Sequence, residues 1–177
     1  MKLILLVGPS GSGKDTLLRA ARKRFNGSHD LGLVRRYITR PPDGNEDNYY
    51  VDNTCFKLLK HSGFFVSDWQ AHNNEYGIAH HALANGTAHG KLLCSISRGA
   101  ITDFEQHYGD VTVLLVTAPM GLLKKRLTGR GRENDKDIEK RLQRATRPIE
   151  ARKLITFDNS ASLEKSQSGF ITLLEAI

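Results

Sequence analysis

The chain has 177 residues, 39% of them hydrophobic, which suits one compact domain with a full core and small insertions and argues against a second independent domain. A formal charge of +7 asks for an anionic partner, but aromatic residues make up only 7% and the basic residues gather at 35–40 and 124–147, with no unbroken Lys/Arg tail. That pattern disfavours nucleic acid and membrane surfaces as partners and favours a small phosphorylated molecule.

Lys2–Val7 is a short, continuously apolar run that ends in Gly-Pro-Ser-Gly and predicts a buried parallel strand entering a tight loop. It is too short for the core of a signal peptide, and nothing else approaches membrane-spanning length, so a cytoplasmic location is expected. Residues 14–25 set Leu17, Leu18 and Ala21 on one face with Arg and Lys opposite, as in an amphipathic helix. Leu31–Thr39 reads as an edge strand, broken by the turn sequence Pro41-Pro42-Asp43-Gly44-Asn45. Asp52 or Asn53 can cap a short helix to about His61, and Gly63–Trp69 suits a further strand. Residues 35–78 together have the character of an insertion.

Lys91–Ile96 and Val111–Thr117 are two more strands of buried type, with helical segments at 98–107 and 119–128. Asn134 can cap a helix over 135–147 striped by Ile138, Leu142 and Ala145; Lys153–Phe157 and Ser162–Ala176 supply a last strand and helix. Strands alternating with helices predict an α/β fold, a parallel five-stranded sheet flanked by helices with ligands at the carboxyl ends of its strands. Cys55 and Cys94 form no CxxC and are expected as free thiols in a reducing cytosol. His80, His81 and His89 fit no metal-ligand spacing.

The chemistry is concentrated in GPSGSGKDT, residues 8–16. Gly8, Pro9, Ser10, Gly11, Ser12 and Gly13 make a glycine-rich loop between strand and helix, the context in which backbone N–H groups and a helix N-terminus cradle phosphate. Lys14 supplies a point charge for the β and γ phosphates of ATP. The next position, normally Ser or Thr, is Asp15. A carboxylate is a good hard ligand for Mg²⁺; equally, Thr16 can supply the hydroxyl one residue later, leaving Asp15 to stabilise the helix N-terminus.

A second cluster, LKKRLTGRGREN at 123–134 with Arg141 and Arg144 beyond it, sets Arg126, Arg130 and Arg132 beside glycines that can hinge. Such a segment, expected as a lid over 123–149, can bring guanidinium groups to a transferring phosphoryl group.

GPSGSGK, TRPP at 39–42, EYG at 75–77 and KKRLTGRGREN followed by KRL resemble the guanylate kinase superfamily of P-loop kinases. Within it, RYITR at 36–40 and GREN at 131–134 are more similar to the ribose 1,5-bisphosphate phosphokinases, which convert that sugar to 5-phosphoribosyl 1-diphosphate with ATP. The resemblance runs over nearly the whole chain. It implies one kinase domain with a core of 1–34, 79–122 and 150–177, an acceptor-binding insertion at 35–78 and the lid.

Carried over position by position, the phosphate-holding Ser of guanylate kinases becomes Arg36, the first Arg is Arg40 and the second is Asp43. The guanine-reading Glu falls on Ser67, the hydroxyl residue after Tyr-Gly on Ile78, and the acid near the end of strand 91–96 on Cys94, Ser95 or Ile96. Guanine donors need buried acceptors, so their loss disfavours GMP. The expected roles are therefore Lys14, Arg130, Arg132 and Arg141 for transfer, residues 8–16 for ATP, Asp15 for Mg²⁺, and Arg36, Tyr37, Arg40, Tyr76 and Arg98 for the sugar phosphate. Competing expectations are a guanylate kinase and a non-catalytic guanylate-kinase-like interaction module, against which Lys14 argues. Oligomeric state is left open.

Overall fold

The computed structural model describes residues 1–41, 47–71, 73–84, 88–129, 138–139, 142–143, 146 and 148–177. The chain opens with β1 (Lys2–Val7), α1 (Lys14–Phe25) and β2 (Leu31–Val34). There follow β3 (Tyr37–Ile38), β4 (Tyr49–Tyr50), α2 (Asn53–His61), β5 (Phe65–Ala71), β6 (Asn74–Ala79) and α3 (His80–Ala84). The remainder is β7 (Lys91–Ser95), a 3₁₀ turn (Arg98–Ala100), α4 (Ile101–His107), β8 (Val111–Thr117), α5 (Met120–Thr128), β9 (Leu154–Asp158) and α6 (Leu163–Ala176).

Five strands form a sheet in the order β2-β7-β1-β8-β9, with every neighbouring pair parallel. β1 is apolar on both faces because it lies mid-sheet with helices on each side. Its side chains alternate: Leu3, Leu5 and Val7 join Ile101 and Phe104 of α4 in one cluster. Ile4 and Leu6 join Leu17 and Ala21 of α1 and Phe170 of α6 in the other. The connections leaving β1 and β7 therefore run to opposite faces, which opens a crevice at the carboxyl edge between two adjacent strands.

A second, smaller sheet has the order β4-β3-β6-β5. Its own core is Phe56, Phe65 and Ala79, with Tyr37, Val51 and Phe64 packed against them. Asp52 caps α2 as the sequence allows, its side chain accepting from the Cys55 N–H at 2.8 Å.

The expected single strand Leu31–Thr39 is in fact two strands in two sheets. β2 ends at Val34 as the edge of the main sheet, and β3 pairs with β4 and β6. The break falls at Arg35-Arg36, whose side chains engage Asp47 and Asn48 and so turn the chain from one sheet into the other. β6, like the two-residue β4, is a strand that pattern reading missed. Its Gly77 weakens the signal, yet glycine is required there because ring carbons of Phe65 lie 2.6–2.9 Å from where a Cβ would stand. Most of the expected turn at 41–45 and of the expected helix 135–147 lie outside the described residues; Ile138, Glu139, Leu142 and Gln143 are helical, and Ile138 is buried. Among the described residues, no helix is long and apolar enough to cross a membrane.

Candidate active site

The loop from β1 to α1 lies at the carboxyl edge of the main sheet. Gly11 and Gly13 adopt φ of +82° and +90°, values that side chains disfavour. Gly13 is also the residue preceding α1, and a Cβ on it would collide with Nδ2 of Asn159. The loop is clamped from the strand side. Asn159, buried just beyond β9, donates through Nδ2 to the Ser12 carbonyl at 2.6 Å. Arg126 of α5 donates through Nη2 to the Asn159 carbonyl at 3.0 Å and, at longer range, through Nη1 to the carbonyls of Gly11 and Ser12.

Lys14 extends back over this loop. Its ammonium donates to the carbonyls of Gly8 at 2.7 Å and Pro9 at 3.0 Å, so the charge is held at the loop's mouth. Ser12 is fully buried, with its Oγ unpartnered among the described residues, whereas Pro9, Ser10 and Thr16 are half-buried.

Beside the loop, at the ends of β2 and β7, a cavity of about 140 Å³ is lined by Asp15, Arg19 and Arg22 of α1 and by Arg36, Asn48 and Ser95. Arg36 donates through Nε to Asn48 Oδ1 at 3.2 Å, and its guanidinium lies 5.7 Å from the ring centroid of Tyr76. Tyr76 in turn stacks on Trp69, with centroids 5.8 Å apart and the planes within 2°. Asp15 and Arg36 thus line one cavity, with Tyr76 against Arg36 and Lys14 on the adjoining loop.

The other expected residues are placed differently. Tyr37 belongs to an aromatic cluster with Tyr49, Phe64 and Phe65 and does not line the cavity; burial, then the neighbouring Tyr49, raise the pKa of its phenol. Arg40 is half-buried just after β3. Arg98 opens the 3₁₀ turn after β7, and burial lowers its pKa from the usual guanidinium value. Arg130, Arg132, Arg141 and Asp43 lie outside the described residues. The expected lid begins at 123, but residues up to Thr128 are part of α5. There Leu123 and Leu127 are buried and Arg126 holds the phosphate loop.

At the positions where the resemblance implies guanine contacts in guanylate kinases, the side chains here are buried. Ile78 is fully buried in the main core, and Ser67 is buried with its hydroxyl donating to Asp103 Oδ2 at 2.6 Å. Cys94 is fully buried, and desolvation pushes its thiol pKa up to about 12. Ser95 alone of the three candidate strand-end residues lines the cavity.

Sequence reading missed Asn159, which carries no motif, and gave Arg19 and Arg22 no role. Their i+4 and i+7 spacing from Asp15 was available, but it also describes an ordinary solvated helix face.

No protein-family model matches the chain. The ribose 1,5-bisphosphate phosphokinase PhnN of Desulfomicrobium baculatum is 38% identical over 173 residues, covering 94% of this chain and 91% of the relative. The proteins of the same name from Rhizobium etli and Acidiphilium cryptum are each 36% identical, covering 99% and 98% of this chain and 90% and 92% of their own lengths. Among solved structures, guanylate kinase from Anaplasma phagocytophilum superposes with a TM-score of 0.63 over 99% of this chain and 85% of its own, at 18% identity, a likeness of fold. A guanylate-kinase-like fold, a clamped phosphate loop and 36–38% identity with the PhnN proteins over nearly the whole chain agree with one another: the chain belongs to the ribose 1,5-bisphosphate phosphokinase family.

Proposed function

We propose that this protein transfers the γ-phosphoryl group of ATP to ribose 1,5-bisphosphate, giving 5-phospho-α-D-ribosyl 1-diphosphate and ADP. The observation that carries the reading is the cavity next to the phosphate loop. It presents Arg19, Arg22 and Arg36, while the guanine-reading positions Ser67 and Ile78 are closed off by packing. Its arginines attract a sugar bearing phosphates, Asp47 and Asn48 on its wall are already engaged by Arg22, Arg35 and Arg36, and neither guanine-reading position lines it.

The acceptor is a phosphate oxygen, already ionised near neutral pH, so no strong general base is needed. The bond from the γ phosphorus to the bridging oxygen of ADP breaks as the acceptor oxygen bonds to the same phosphorus. The electron pair of the broken bond stays on ADP. Catalysis rests on alignment and charge neutralisation. Residues 8–16 hold the donor's phosphates, with Lys14 leaving the Gly8 and Pro9 carbonyls to meet them. Arg36 and Arg40, with Tyr76 beneath Arg36, orient the acceptor, aided by Tyr37 and Arg98 at the rim. Arg130, Arg132 and Arg141 act on the transferring group from the arginine-rich lid expected over 123–149, while residues 35–78 serve as the acceptor-binding insertion.

Among the described residues, no group of three or more His, Cys, Asp or Glu side chains could hold a metal. That suits Mg²⁺, which binds through substrate phosphates and water with one or two protein ligands. Asp15, which lines the cavity, or else Thr16 would hold it. When bound, the ion would neutralise phosphate charge. The reaction belongs in the cytoplasm, where ATP is supplied.

A coupled ADP assay with ribose 1,5-bisphosphate and GMP in parallel tests the proposal. ADP release only with the sugar supports it; release only with GMP overturns it.

A further inference from the structure

Resting on that acceptor, we infer that Arg19 and Arg22 of α1 grip the acceptor's second phosphate, the one that does not react, and thereby select a bisphosphate over a monophosphate. Asp15, Arg19 and Arg22 fall at i, i+4 and i+7, one face of the helix, and all three line the cavity. At about 1.5 Å of rise per residue, this wall runs about 10 Å away from the phosphate loop. The Asp15 end adjoins Lys14, where donor and acceptor phosphates must meet. The Arg22 end therefore faces the far end of the sugar, and in a pentose 1,5-bisphosphate that end carries the 5-phosphate.

Arg22 already holds an anion on this wall. Its Nη1 contacts Oδ2 of Asp47, which also lines the cavity. The same oxygen takes Nε and Nη2 of Arg35, each at 2.9 Å. Two guanidinium groups on one carboxylate leave this trio with a net positive charge. The crowding is felt at Arg22, whose pKa is lowered by burial and then by the charge of Arg35. A phosphate dianion arriving here supplies the missing negative charge, and planar donors suit its oxygens. Arg19, one turn nearer the phosphate loop, reaches the same group from the adjoining position.

The test separates the two ends of the substrate. Binding of ribose 5-phosphate and of ribose 1-phosphate is measured by calorimetry on the unaltered protein, on Arg19→Gln, and on Arg22→Gln, in which Arg35 still pairs with Asp47. KM and kcat are measured with ribose 1,5-bisphosphate on the same proteins. Each variant should weaken ribose 5-phosphate binding and raise KM for the bisphosphate by about tenfold or more, the loss expected for a hydrogen bond to a charged group. Ribose 1-phosphate binding should hold, and Arg19→Lys should recover part of the affinity that Arg19→Gln loses. Equal losses for both monophosphates, or no loss for either, overturn the inference while leaving the acceptor assignment standing. An unaltered protein that does not phosphorylate ribose 1,5-bisphosphate sinks the acceptor assignment and this inference with it.

Discussion

Asn159 holds the phosphate loop through a single short bond to the Ser12 carbonyl, and its amide occupies the space a side chain at Gly13 would need. Replacing it with Ala removes a buried donor, a change that costs about 1–3 kcal/mol. The loop then loses part of its preorganisation. Asn159→Ala should lower thermal stability and weaken ATP binding about tenfold, as calorimetry would show; unchanged ATP affinity would mean that Arg126 suffices as the clamp. Asp15 has a different expected signature. If its carboxylate serves the metal, Asp15→Ser shifts the Mg²⁺ concentration that gives half-maximal activity, and an unmoved Mg²⁺ dependence assigns that work to Thr16. The glycine loop and Lys14 were legible at this scale because their spacing is a chemical requirement. Asn159 was not, since its role depends on β9 ending beside a loop roughly 147 residues earlier in the chain.

β1, α1 and β8 match their sequence patterns, because a continuous apolar run or a 3.6-residue stripe reports burial directly. The small sheet resists such reading. β3 and β4 are two residues each, and Tyr37 packs into an aromatic cluster that no periodicity describes. Gly77, which hides β6 in the sequence, has no room for a side chain. Gly77→Ala drives a methyl group into Phe65, itself stacked on Phe56 with centroids 4.8 Å apart, and overpacking of this kind costs about 1–3 kcal/mol. A lower melting temperature with a raised acceptor KM is expected, and an unaltered melting curve would show that the ring yields freely.

β7 carries a pH signature in Cys94. Its folded-state pKa is raised from 9.0 to about 12 by burial, so between those values the folded state keeps a proton that the unfolded state has released. Stability from this source is complete below about pH 9 and falls as pH rises toward 12, by about 1.4 kcal/mol per unit at most. Urea midpoints measured at pH 8, 9 and 10 should fall above pH 9, and Cys94→Ala should flatten that fall; identical slopes for the two proteins would contradict the assignment.

Across the whole molecule, the parallel sheet order sends the connections after β1 and β7 to opposite faces, and the phosphate loop and the cationic cavity both stand at the edge so created. The α/β class and the sheet were legible because strand and helix patterns alternate along the chain. The join between the two sheets was less so: Arg35 and Arg36 are separated in sequence from the Asp47 and Asn48 that turn them. The burial of Leu123 and Leu127 in α5 was also less legible, since their neighbours are revealed only by the fold. Phosphorus NMR of the protein with ATP and ribose 1,5-bisphosphate, run beside a tube with ATP and GMP, is the most direct measurement. A new sugar diphosphate signal growing with ADP in the first tube, and an unchanged second tube, are expected. Rapid conversion of GMP to GDP with the pentose bisphosphate left intact would contradict the assigned acceptor.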